Sequence, residues 1–158
     1  MTDYEQFKIK EYNFWDLFLH INQYPYLGRC YAWAKREEAD KITGIRSGEL
    51  LELFGKVIPE WDKAVQQLFQ HDRPNLAILG NEAPHLHAHL IPRYNTPREF
   101  QGITFTDPNP TGNYQNRRFR KLRPIRSPRH HSGSNALEFS FLAGHSCRRA
   151  CFDGWQCH

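Results

Sequence analysis

Between Pro84 and Pro92 the chain alternates polar and apolar residues without a break: His85, His87 and His89, with Leu86, Ala88 and Leu90 between and after them. A period of two is that of an extended strand, whose side chains point alternately to its two faces. Three imidazoles therefore share one face, and the aliphatic side chains share the other. A strand divided in this way cannot stand alone, because its apolar face needs a second layer to cover it.

That layer is legible upstream. From Ser47 the period turns helical: Leu50, Phe54, Val57, Trp61, Val65 and Leu68 recur at steps of three and four, and Leu51, Leu53, Ile58, Ala64 and Phe69 broaden the stripe. Ser47 reads as the N-cap and Glu49 as a first-turn acid suited to the helix dipole. Pro59 lies inside the pattern and deprives the Gly55 carbonyl of its donor, which predicts a kink between the two. A long amphipathic helix of this kind packs on something flat. The run Phe14 to Asn22 reads as a short strand, Asn22 to Gly28 as a turn, and Arg29 to Ala34 as a core strand. Asn75 to Gly80 reads as a second core strand after the break at Gln70 to Pro74. Residues 95–116, rich in Pro, Gly, Asn and Thr, read as an irregular segment lying on the core, and there is no internal repeat.

The remainder of the chain has another character. Residues 1–116 hold 12 Lys and Arg against 15 Asp and Glu, whereas residues 117–158 hold 9 against 2, so net charges of −3 and +7 make up the overall +4. The basic balance thus belongs to a tail and does not argue that the folded part binds nucleic acid. The expected organisation is one domain over 1–116 and a disordered basic tail over 117–158. Seven Arg and Lys crowd Arg117 to Arg129; a solvated tail outweighs an RNA-binding one there. Cys147, Cys151 and Cys157, with His145 and His158, match no common zinc spacing. Cys30 is alone in the body, which fits a reducing, cytoplasmic setting better than a disulfide scaffold. No apolar run reaches the ~18–20 residues of a membrane span, and the N-terminus carries acids where a signal peptide carries bases.

The three histidines carry the chemistry. His85 and His89 would stand ~13 Å apart along a straight strand, too far to share one zinc at ~2 Å bonds, and the nearby carboxylate is Glu82 alone. A histidine-metal enzyme would have to rest on two adjacent imidazoles. A polar strand face with incidental histidines is a second reading, set against the absence of other polar residues there. The third is nucleophilic: a neutral imidazole at the middle position attacks phosphorus, and its neighbours orient it or donate to phosphate oxygens. His20, among apolar residues, reads as a hydrogen-bonded core or rim residue, and the aromatics from Tyr12 to Tyr24 as core before base-stacking wall.

His85-Leu86-His87-Ala88-His89-Leu90-Ile91, followed by Pro92-Arg93, resembles the signature of the histidine triad superfamily at all seven positions. Leu17 to Arg36 is similar to that family's first strand pair, with Asn22, Pro25 and Gly28 in the places of its Asn, Pro and Gly; Ser47 to Phe69 is similar to its long helix, and Asn75 to Ala83 to the strand ending beside its active site. The resemblance spans residues from about 12 to 94, with 95–114 similar to the C-terminal part of small microbial members. It implies an α+β fold, an antiparallel sheet with one long helix packed on it, paired as a homodimer through the helix and a central strand. It implies a nucleotide hydrolase or nucleotidyl transferase acting at the α-phosphate of a nucleoside phosphoramidate or dinucleoside polyphosphate. His87 would be the nucleophile, His85 its orienting partner and His89 a contact to the α-phosphate, while Asn22 would meet the ribose and Asn81 the phosphate or leaving group. No metal or other cofactor is implied, although magnesium would accompany a polyphosphate. Arg29 stands where many members have His, and Glu82-Ala83-Pro84 replaces their Gly-Gln-Ser/Thr loop. The leaving group is therefore open, and a nucleotide-binding module with little turnover is the alternative.

Overall fold

The structure, a computed structural model, describes residues 4–114. The expected tail over 117–158, its Cys/His cluster and the domain boundary after Asn116 lie outside the described residues. Five strands form one antiparallel sheet: β1 (Lys8–Glu11), β2 (Trp15–Leu19), β3 (Cys30–Ala34), β4 (Arg73–Ala77) and β5 (His87–Arg93), in the spatial order β1-β2-β3-β5-β4. One face is covered by the expected helix, which runs as α1 (Ser47–Glu52), a wide π turn (Leu53–Val57) and α2 (Ile58–Phe69).

The core lies between these two layers. Leu53, Val57, Trp61 and Val65 of the helix meet Trp15, Leu17, Cys30, Ala32, Ala34, Leu86, Ala88 and Leu90. Each of the larger aliphatic side chains so buried contributes about 1.5–3 kcal/mol. The seam differs from the stripe read in the sequence, because Leu50, Leu51 and Phe54 are exposed. The π turn explains the difference: the Ile58 N–H reaches back to the Leu53 carbonyl, one residue further than in an α-helix, and the turns before it are rotated relative to those after. Pro59 follows directly, so a widened turn accommodates it where a kink at Gly55 was expected.

Other expectations are corrected. Arg46, not Ser47, is the N-cap, and Glu49 performs the capping by accepting the Arg46 N–H at 2.7 Å. Glu49 is buried because Arg36 grips it at 2.8 and 3.1 Å, an ion pair that holds its carboxyl below the usual range. The strand expected over Asn75 to Gly80 begins at Arg73 and ends at Ala77. It is an edge strand and not a core one, paired on one side only, with Leu76 and Leu79 exposed. Residues 95–116 are not wholly irregular: β6 (Arg98–Phe100) and β7 (Ile103–Phe105) form a hairpin turned by Gln101 and Gly102, both left-handed at φ 54° and 77°. Phe105 packs with Leu27 and Tyr94, and Arg93 holds Asp107 at 2.6 and 3.2 Å in a fully buried pair.

Candidate active site

The sheet face away from the helix carries the imidazoles. Trp33 stands opposite His87 and Tyr31 opposite His89, so β3 lines this face with aromatic rings. His85 precedes the strand instead of opening it, yet its ring remains on the same face, stacked on Trp33 at 4.3 Å. The strand stops short because the His85 N–H turns to the Ala83 carbonyl at 2.8 Å, while Leu86 bridges outward to Ala39 and Ala34.

Hydrogen bonding sets the tautomers. A carbonyl only accepts, so each ring nitrogen facing one must carry the proton. His87 Nδ1–H donates to the His85 carbonyl at 2.7 Å, which leaves Nε2 with its lone pair. His85 donates from Nε2 to the Ala34 carbonyl at 2.7 Å, which locks its ring. His89 stands edge-on to His87 at 4.9 Å, and its Nδ1 is buried with no hydrogen-bond partner among the described residues. A polar atom left in that state is costly unless something else meets it.

The positive charge felt by His20 and His89 comes from Arg29. Its guanidinium is buried, donates to the Tyr114 hydroxyl at 2.6 Å and lies 5.2 Å from the Tyr114 ring. Burial first, and the Arg29 charge second, push His89 down to about 4 and His20 down to about 3. Both rings are therefore neutral near pH 7. His20 lies 6.1 Å from His89, and its Nδ1 is 3.0 Å from both the N–H and the carbonyl oxygen of Asn22, as a hydrogen-bonded rim residue should be.

The turn before β3 is organised by Gln23, whose amide donates to the His20 and Arg29 carbonyls and accepts from Gly28 N–H, each at 2.7 Å. Gly28 has φ +89°, and a Cβ there would lie 2.9 Å from Val65 Cγ1. Only glycine serves this position.

Of the residues singled out in the sequence, His85, His87 and His89 come together. Asn22 joins them through His20 and is exposed at the rim, and Asn81 lies exposed on the bend before Pro84. Gln23, Trp33 and Tyr114 were missed. Trp33 alternates with Tyr31 in sequence, but its partnership with His87 depends on a strand register that one sequence does not display. Among the described residues no group of three or more His, Cys, Asp or Glu is placed to hold a metal ion. No helix among the described residues is long and apolar enough to cross a membrane.

No protein-family model matches the sequence, and no curated protein matches it. Solved structures do. A hypothetical histidine triad nucleotide-binding protein from Sulfolobus tokodaii matches at TM-score 0.52 and 17% identity, over 93% of this chain and 84% of that one. A histidine triad protein from Sinorhizobium meliloti matches at 0.51 and 17%, over 74% and 76%. One from Bradyrhizobium japonicum matches at 0.50 and 18%, over 90% and 87%. The chain has the histidine triad fold.

Proposed function

We propose that this chain uses the histidine triad fold to cleave a nucleotide at its α-phosphate, as a hydrolase or nucleotidyl transferase working through a nucleotidyl-His87 intermediate. The observation that carries the reading is the 2.7 Å bond from His87 Nδ1–H to the His85 carbonyl. It presents Nε2 as the nucleophile in a fixed plane.

In the first step the Nε2 lone pair forms a bond to the α-phosphorus. The P–N bond of a phosphoramidate, or the P–O bond of a dinucleoside polyphosphate, breaks, and its electron pair leaves with the departing group. The nitrogen takes a proton from solvent and departs as the neutral amine, whereas the polyphosphate departs as its anion. Nδ1 keeps its proton throughout. In the second step water attacks the same phosphorus, the N–P bond breaks, and nucleoside monophosphate and neutral His87 are regenerated. His85 orients the nucleophile, and His89, neutral and 4.9 Å away, meets the phosphate oxygens. Asn22 takes the ribose, and Asn81 the phosphate or leaving group. The scheme needs no metal, and magnesium enters only as the companion of a polyphosphate.

Leu50, Leu51 and Phe54 on the helix and Leu76 and Leu79 at the β4 edge are exposed apolar groups, which supports a homodimer. The buried free thiol of Cys30 supports a reducing, cytoplasmic setting.

Adenosine 5′-phosphoramidate and a diadenosine polyphosphate are the test substrates. Alkaline quenching, which spares an N–P bond, should yield a peptide with nucleoside monophosphate on His87. His87→Asn should retain nucleotide binding and lose at least ~10⁴-fold in turnover, more than ~5 kcal/mol of barrier. Binding without any burst would instead favour a nucleotide-binding module, the reading that Glu82-Ala83-Pro84 supports by placing no hydroxyl before the triad. Substantial activity of His87→Asn, or metal in the purified protein at one per chain, would refute the covalent mechanism.

A further inference from the structure

The closest ring neighbour of the triad is not a histidine. Trp33 faces His87 directly across the β3 to β5 pairing, and its indole lies nearly parallel to two imidazoles, 4.3 Å and 10° from His85 and 5.3 Å and 23° from His87. Tyr31 braces the indole edge-on at 6.3 Å and 76°. The covalent scheme makes specific use of such a neighbour. Because Nδ1 keeps its proton, turning the Nε2 lone pair into an N–P bond leaves the His87 ring as an imidazolium. An indole face attracts a cation, and tryptophan does so more strongly than phenylalanine.

We infer that Trp33 is a positioning residue of this site: it clamps the plane of the His87 ring and stabilises the imidazolium that exists while the ring carries a phosphoryl group. The inference rests on the covalent reading above. The groups packed on His87 are His85 and His89 from its own segment and Trp33 from β3; Tyr31 pairs with His89, and Asp16 pairs with Trp33 from β2, where its carboxylate lies 3.3 Å from Lys8 Nζ. His89 is neutral and the Asp16 carboxylate is paired with Lys8, so the indole face is the attraction in direct contact with the His87 ring.

The experiment uses the full chain, Trp33→Phe and Trp33→Leu, with adenosine 5′-phosphoramidate as substrate and adenosine monophosphate as binding probe. Trp33→Leu should slow the labelling burst on His87 and kcat roughly 3- to 30-fold, with KM and nucleotide Kd within about twofold. Trp33→Phe should fall between this variant and the parent. In the parent, tryptophan emission should dip during the burst as the indole meets a cationic ring, and Trp33→Phe should lack the dip. Labelling of Trp33→Leu at the parent's rate overturns the inference alone, as does an equal loss in both variants accompanied by lost nucleotide binding. A parent that never carries label on His87 overturns the covalent reading, and the inference with it.

Discussion

A proton offered to His20 or His89 at pH 5 finds the unfolded chain a better host than the folded one. Burial, and after it the Arg29 charge, lower these rings from 6.5 to about 3 and about 4. Between those values and 6.5 the unfolded state binds more protons than the native state, so stability must rise with pH across that window. The contribution is complete above the unfolded value and is lost as the pH falls below it, until the native rings themselves protonate. At pH 5 both native rings are still neutral, and each unfolded imidazole has gained about 1.36 kcal/mol for each of roughly 1.5 pH units, or ~2 kcal/mol. Together they withdraw up to about 4 kcal/mol from a domain whose whole stability is about 5–15 kcal/mol. The figure is a ceiling because both rings keep some exposure. Urea unfolding at pH 7 and pH 5 measures it, in the parent and in His20→Gln and His89→Gln. Carboxylates titrate mostly below this range and act in all three proteins, so the difference between parent and variant isolates the imidazole. Each substitution should remove up to ~2 kcal/mol of the loss between pH 7 and pH 5, whatever it does to stability at pH 7. Variants that lose as much as the parent would refute the view that these rings are held neutral.

Breaking the buried Arg93 and Asp107 pair by Asp107→Asn or Arg93→Met should cost about 3–5 kcal/mol in denaturant unfolding, because one charge is left buried without its partner. Exchanging both residues for apolar ones should recover part of that loss. Leu51→Glu combined with Leu76→Glu should convert a homodimer to monomer in sedimentation at tens of micromolar, with an unchanged circular dichroism spectrum; a parent that sediments as a monomer refutes the pairing.

What the sequence displayed was whatever depends on neighbours along the chain. The alternation around His87 needs only the two-residue period of a strand, and it placed all three imidazoles on the correct face. The helix from Ser47 to Phe69 was legible in its extent and, from Val57 through Trp61 to Val65, in its inner face; before Pro59 a single π turn rotates the pattern and sends Leu50 and Phe54 outward. The apolar run from Leu76 to Leu79 looked like a core strand because composition does not say whether a strand is paired on one side or two. The β6 and β7 hairpin was hidden by three-residue strands and by glutamine at Gln101, where asparagine or aspartate usually announces such a turn. Asp107 and Tyr114 looked like loop residues. Their partners, Arg93 and Arg29, are distant in sequence, and only the folded chain brings them together.

The way His87 is oriented suits the covalent scheme proposed for it. An imidazole can be fixed by a carboxylate or by a carbonyl, and here it is the His85 carbonyl that takes the Nδ1 proton. A carbonyl carries no formal charge and does not titrate, so it fixes the tautomer at any pH where the ring is neutral. A carboxylate in the same place would draw positive charge onto the ring in the resting protein and make Nε2 a poorer nucleophile. The carbonyl is itself held by the strand approach and by the locked His85 ring, through Nε2–H to Ala34 and the stack on Trp33. In the proposed scheme His85 therefore acts on His87 chiefly through its backbone, and its imidazole serves to keep that backbone in place. The alternation legible in the sequence and the chemistry proposed for the site meet at this one bond.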